Sequence, residues 1–191
     1  MKIGLYFGSF NPVHHGHLII ANYIRQHSDL DQVWLIVSPQ NPLKPSAGLL
    51  NEYHRFYLTQ LAVEPEPNLR ASDIEFRLPR PSYTVDTLAY LKEKYPDYKF
   101  AIIMGSDSFQ NLPRWKNYQV ILQQYPVYVY KRAGYDVAET NAGATVTVME
   151  APLLQISATY IRDTVREGKS IRYLVPEKVL EEIERNGYYR H

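Results

Sequence analysis

The chain has 191 residues, 45% of them hydrophobic and 21% charged, with a formal net charge of +1, ordinary values for one globular domain over 1–191 with a sizeable core. The near-neutral charge argues against nucleic acid as a partner, and no apolar run is long enough to span a membrane. Met1-Lys2 opens no signal-peptide pattern and there is no cysteine, so disulfides and thiol chemistry are excluded, no resident metal site is expected, and a cytoplasmic location is the expectation.

Ile3-Gly4-Leu5-Tyr6-Phe7 is an apolar run of strand type, and the spacing that follows predicts a helix over 15–26. Between them lies Gly8-Ser9-Phe10-Asn11-Pro12-Val13-His14-His15-Gly16-His17. Strand, glycine turn and helix start form the place where α/β proteins hold phosphates, because the first helical amides have no partner inside the helix. Gly8 lets the backbone come close to a ligand, and Asn11-Pro12 marks a turn. His14 and His17, three apart, share a face if the helix begins here; the plain alternative is that they cap or pack the helix start.

A second buried strand covers 32–37, with Trp34 in the core. Pro39, Pro42 and Pro45 then forbid a helix, leaving an extended loop at a strand's carboxyl end, where Lys44 is either a solvated charge or a phosphate contact. A helix is predicted over 50–63, capped by Asn51, with Tyr53, Tyr57, Leu58 and Leu61 on one side. Alternation predicts a strand over 70–76. Thr84 reads as the N-cap of a helix reaching about residue 95, with Asp86 in its first turn.

The strand over 100–104 closes on Gly105-Ser106-Asp107. There Asp107 either accepts from ribose hydroxyls or assists a metal, or caps the next helix. Trp115 follows a proline at the entry of a helix over 116–123. Strands over 127–130 and 145–149 flank Lys131-Arg132-Ala133-Gly134. In Ile156-Ser157-Ala158-Thr159-Tyr160-Ile161-Arg162, Ser157 is a good N-cap for a helix over 158–167. Its hydroxyl, Thr159, the helix amides and Arg162 would together make an anion site, or the serine is a cap and nothing more. A terminal helix over 176–185 carries the apolar stripe Val179, Leu180 and Ile183, and Gly187-Tyr188-Tyr189 packs back. Alternating strands and helices give an α/β fold, a doubly wound, mostly parallel sheet with helices on both faces.

The first motif resembles the signature of the nucleotidyltransferase superfamily with the His-x-Gly-His motif. Further segments resemble its nicotinate-nucleotide adenylyltransferase branch, in the family's order along the chain. They are Asn41-Pro42-Leu43-Lys44, Ser82-Tyr83-Thr84-Val85-Asp86-Thr87-Leu88, Gly105-Ser106-Asp107, Trp115, Arg132 and residues 156–162. The resemblance implies a Rossmann-like fold and transfer of AMP from ATP to nicotinate mononucleotide, with magnesium (Mg2+) carried in by ATP. It implies catalytic roles for His14 and His17, and ATP binding by Gly8, Ser9, Phe10, Gly16, Gly105, Asp107, Arg132, Ile156, Ser157, Thr159 and Arg162. It implies that Lys44, Tyr83, Thr84 and Trp115 bind the acceptor. The chain departs from the family pattern at Leu43, Ala133 and Ala158, which stand where histidine, proline and serine are usual. Two other readings change less of the picture. One keeps the chemistry with nicotinamide mononucleotide or phosphopantetheine as acceptor. The other is a non-catalytic nucleotide-binding module, which would be expected to lose His14 or His17. The oligomeric state, a homo-oligomer included, is left open by the sequence.

Overall fold

The computed structural model describes residues 1–40, 48–135, 137 and 144–190. Six strands pair in one sheet: β1 (Lys2–Gly8), β2 (Gln32–Val37), β3 (Leu69–Ser72), β4 (Lys99–Gly105), β5 (Val127–Tyr130) and β6 (Val146–Met149). Their spatial order is β3-β2-β1-β4-β5-β6, and every pairing is parallel. The helices are α1 (His15–Gln26), α2 (Glu52–Val63), α3 (Thr84–Lys94), α4 (Ser106–Gln110), α5 (Tyr118–Gln124), α6 (Ala158–Arg166) and α7 (Glu177–Asn186).

The central strands are apolar on both faces, as parallel strands covered on both sides must be. Alternate residues feed two cores. Tyr6, Val33, Leu35, Ala101 and Ile103 pack with Ile20 and Ile24 of α1, Leu58 of α2, Ile161 of α6 and Leu180 of α7. Leu5, Trp34, Ile36, Ile102 and Val129 pack on the other face with Leu88 and Leu91 of α3 and Ile121 of α5. The sheet is therefore doubly wound. The strand order reverses between β1 and β4, and such sheets bind ligands outside the carboxyl ends at that reversal. Gly8 and Gly105, the last residues of β1 and β4, both end there. Among the described residues no helix is long and apolar enough to cross a membrane.

Four local expectations are corrected. The strand expected over 70–76 ends at Ser72 and gives way to a 3-10 turn, Ile74–Arg77. In α3 the cap is Tyr83 and Thr84 is the first helical residue. The helix expected from 116 starts at Tyr118, because Asn117 sits in the left-handed region at φ 52°. Helix α2 is capped by Asn51, whose side chain accepts from the Tyr53 amide, but it turns a different face inward. Tyr53 is 63% exposed and Tyr57 46%, whereas Arg55, Leu58 and Thr59 are fully buried.

Candidate active site

The histidine motif is assembled by the turn between β1 and α1. His14 is the N-cap of α1, in extended backbone, and its amide donates to Nδ1 of His17 at 3.2 Å. That bond makes Nδ1 of His17 an acceptor, so a neutral His17 carries its proton on Nε2. The two rings stack with centroids 3.7 Å apart. Phe10 wedges below them edge-on to both His17 and Tyr6, and the residue is only 2% exposed.

His14 is 5% exposed, and its Nδ1 is buried without a partner. Burial lowers its pKa to about 4, helped by the positive charge of Arg132 and by His15. At neutral pH the imidazole is uncharged and offers one N–H. Beneath the pair, the hydroxyls of Tyr6 and Tyr130 lie 3.2 Å apart, and burial raises the pKa of both phenols.

The second motif meets the first. Ser157 caps α6, its hydroxyl accepting from the Tyr160 amide at 3.1 Å. Arg162 donates from Nη2 to the Thr159 hydroxyl at 3.2 Å, and from Nη1 to the Asn11 carbonyl at 2.8 Å. The Ile156 carbonyl lies 3.9 Å from where a Cβ on Gly16 would be. Residues 11–16 and 156–162 thus share one wall of the crevice.

On the β4 side, Arg132 pairs with Asp107 at 2.8 Å, and its amide donates to the Ser106 hydroxyl at 2.9 Å. A Cβ at Gly105 would stand 2.4 Å from Asp107 Oδ1 and 3.1 Å from Arg132 Cδ, so a side chain there would require the pair to shift. Oδ1 of Asp107 is itself buried without a partner.

Tyr83, Thr84 and Trp115 form a separate group. Lys116 pairs with Asp86 at 2.8 Å and lies over the Tyr83 ring at 4.9 Å, which holds the residue after Trp115 against the start of α3. Trp115 is half-buried against the core on the α3 face. Lys44 lies outside the described residues.

Two buried ionic groups carry the scaffold, and neither stood out in the sequence. Arg55 donates to the carbonyls of Leu50 at 2.7 Å, Ser9 at 2.6 Å, Ser38 at 2.8 Å and Pro39 at 3.0 Å. Burial pulls its pKa down to about 10, still far above neutrality. Glu75 accepts from Ser82 at 2.8 Å and Thr87 at 2.9 Å. Burial pushes its carboxyl up, while hydrogen bonds from Ser82, Thr87 and Ser38 pull it back. Arg55 lies within the helix expected over 50–63 and Glu75 within the strand expected over 70–76, and no local signal in either segment marks the residue as buried.

The model of the cytidylyltransferase-like family matches residues 5–164. A Flavobacterium psychrophilum protein described as probable nicotinate-nucleotide adenylyltransferase is 48% identical over 192 residues, covering 100% of both chains. One from Cytophaga hutchinsonii, with the same description, is 51% identical over 189 residues, covering 99% of this chain and 98% of its own. In fold, the chain matches the Plasmodium falciparum nicotinic acid mononucleotide adenylyltransferase complexed with NaAD. The TM-score is 0.83 at 18% identity, covering 98% of this chain and 97% of that one.

Proposed function

Because the chain belongs to the cytidylyltransferase-like family, and within it to the nicotinate-nucleotide adenylyltransferases, we propose that it transfers AMP from ATP to nicotinate mononucleotide. The products are deamido-NAD and pyrophosphate. The observation that carries this reading is the bond from Arg162 to the Asn11 carbonyl, which draws the α6 start to the histidine turn at the mouth of the sheet's reversal.

A phosphate oxygen of the mononucleotide attacks the α-phosphorus of ATP. The bond from that phosphorus to the bridging oxygen of the β-phosphate breaks, and pyrophosphate leaves. The acceptor phosphate is already an anion, so no covalent intermediate and no strong base are required. Catalysis reduces to in-line positioning and to donors aimed at the charge that develops. In this reading His14 and His17 donate to oxygens of the α-phosphate and the leaving group. His14 suits that role as a neutral donor fixed by burial. The main chain of Gly8, Ser9 and Phe10, with Gly16, lets the phosphates approach. The amides of α6, with Ser157, Thr159 and Arg162, take the β- and γ-phosphates. Gly105, Asp107 and Arg132 face the nucleoside part and Ile156 flanks it, with Lys44 assisting as the resemblance implies.

Among the described residues no group of three or more carboxylates and imidazoles stands together to hold a metal. A divalent ion such as Mg2+, brought in with ATP as the resemblance implies, would supply charge neutralisation at the phosphates. Tyr83, Thr84 and Trp115 hold the pyridine ring, whose carboxylate suits the amides and hydroxyl of a helix start.

The experiment is product analysis with ATP and each pyridine mononucleotide in parallel. Pyrophosphate and deamido-NAD from the acid form support the reading. No pyrophosphate with either form overturns it, and equal rates with both overturn the acid preference.

A further inference from the structure

Glu75 lies in the 3-10 turn after β3, is 2% exposed, and belongs to none of the recognised segments. Ser82 and Thr87, which bracket Tyr83 and Thr84, both donate to it. Ser38, at the end of β2, supplies a third hydroxyl. The amide of Ser38 donates to the Gly8 carbonyl at 2.9 Å, and its carbonyl accepts from Arg55. Arg55 in turn holds the Ser9 carbonyl. One carboxylate thus ties the start of α3 to the strand end beside the phosphate turn.

We propose that Glu75 is a positioning residue that fixes the start of α3 for the acceptor, and so sets the affinity for the pyridine mononucleotide rather than for ATP. The proposal rests on the adenylyl-transfer reading above. A carboxylate only accepts, and each hydroxyl has one proton to give. The hydroxyls of Ser82 and Thr87 are therefore turned inward, and Tyr83 and Thr84 are left as the groups of this segment that face a ligand. The turn against which ATP would sit is held at Ser9 by a bond from Arg55 in which Glu75 takes no part. Replacing Glu75 by glutamine puts an N–H donor where an acceptor stood, so one hydroxyl must reverse its role and accept, and the bonds that fix the helix start are weakened.

The test is steady-state kinetics of the full chain with both substrates varied, wild type alongside Glu75→Gln and Thr87→Val. Glu75→Gln should raise KM for nicotinate mononucleotide about tenfold, the equivalent of roughly one hydrogen bond. KM for ATP should change by less than about twofold, equivalent to roughly 0.4 kcal/mol. Thr87→Val should act in the same direction and less. Adding it to Glu75→Gln should bring no further rise, because both act through one carboxylate. If Glu75→Gln does not fold, Thr87→Val and Ser38→Ala carry the same comparison. A melting temperature that falls while KM for the mononucleotide stays put assigns Glu75 a purely structural role and overturns the proposal. So does an equal rise in KM for ATP. A wild-type chain inactive with nicotinate mononucleotide overturns the functional reading and the proposal with it.

Discussion

A Cβ at position 16 would stand 3.0 Å from both Cε1 and Nδ1 of the His14 ring, so the glycine between the histidines lets the first imidazole lie flat on the backbone and stack on the second. Gly16→Ala should push that ring aside by a few tenths of an ångström and lower kcat by up to about tenfold, less than the roughly 10²-fold of a 1 Å displacement, with folding intact by circular dichroism. His17→Ala should lower kcat by about 10²–10³, the usual loss for one donor to the transition state; a near-normal rate removes His17 from the mechanism. His14 carries a pH consequence. Its pKa is about 4 when folded, against 6.5 ordinarily, so between those values the unfolded chain binds the proton first. The stability it contributes is complete above about pH 6.5 and declines as pH falls toward 4, on the order of 3 kcal/mol in all. Melting temperatures of wild type and His14→Gln across that range should therefore differ in slope. The two histidines and the glycine were readable as a unit. The reason for the glycine was not, since spacing alone does not show which way a ring folds.

Helix α2 shows where residue type misleads. The apolar side expected from the chain held Tyr53 and Tyr57, yet Tyr53 is exposed and Arg55 is fully buried. Carbonyls from the ends of β1 and β2 and from the segment before α2 converge where that guanidinium sits and compensate its charge, with the negative charge of Glu52 helping. No pattern within α2 encodes those distant acceptors. Arg55→Met should remove the clasp and leave several buried carbonyls unpaired, costing about 3 kcal/mol. At this chain length that is about 6–12 °C in melting temperature, measurable by calorimetry. The cap of α6, by contrast, was legible, because Ser157 signals locally and does locally what it signals. Ser157→Ala should cost about 1 kcal/mol of stability and raise KM for ATP more than KM for the mononucleotide. At α3 the helix was foreseen and its first residue was off by one. Ser82 and Thr87 were drawn inward by Glu75, a partner that a strand expected over 70–76 would have pointed elsewhere.

The alternation of strands and helices was enough to anticipate a doubly wound sheet, and the ends of β1 and β4 mark its binding crevice. What alternation cannot supply is which distant segments close that crevice. The bond between Asn11 and Arg162 spans 151 positions, and β1 finds its neighbour β4 only after the first hundred or so residues have been made. Loop-closure entropy must be met before such distant contacts form, so they come late in folding. In a stopped-flow refolding experiment, helical ellipticity should return ahead of pyrophosphate release, with a lag between the two traces. Turnover in this molecule is in that sense a receipt for the finished chain: a ribosome-bound product lacking α6 would already contain the sequence of all six strands and of α1 to α5 and still be silent.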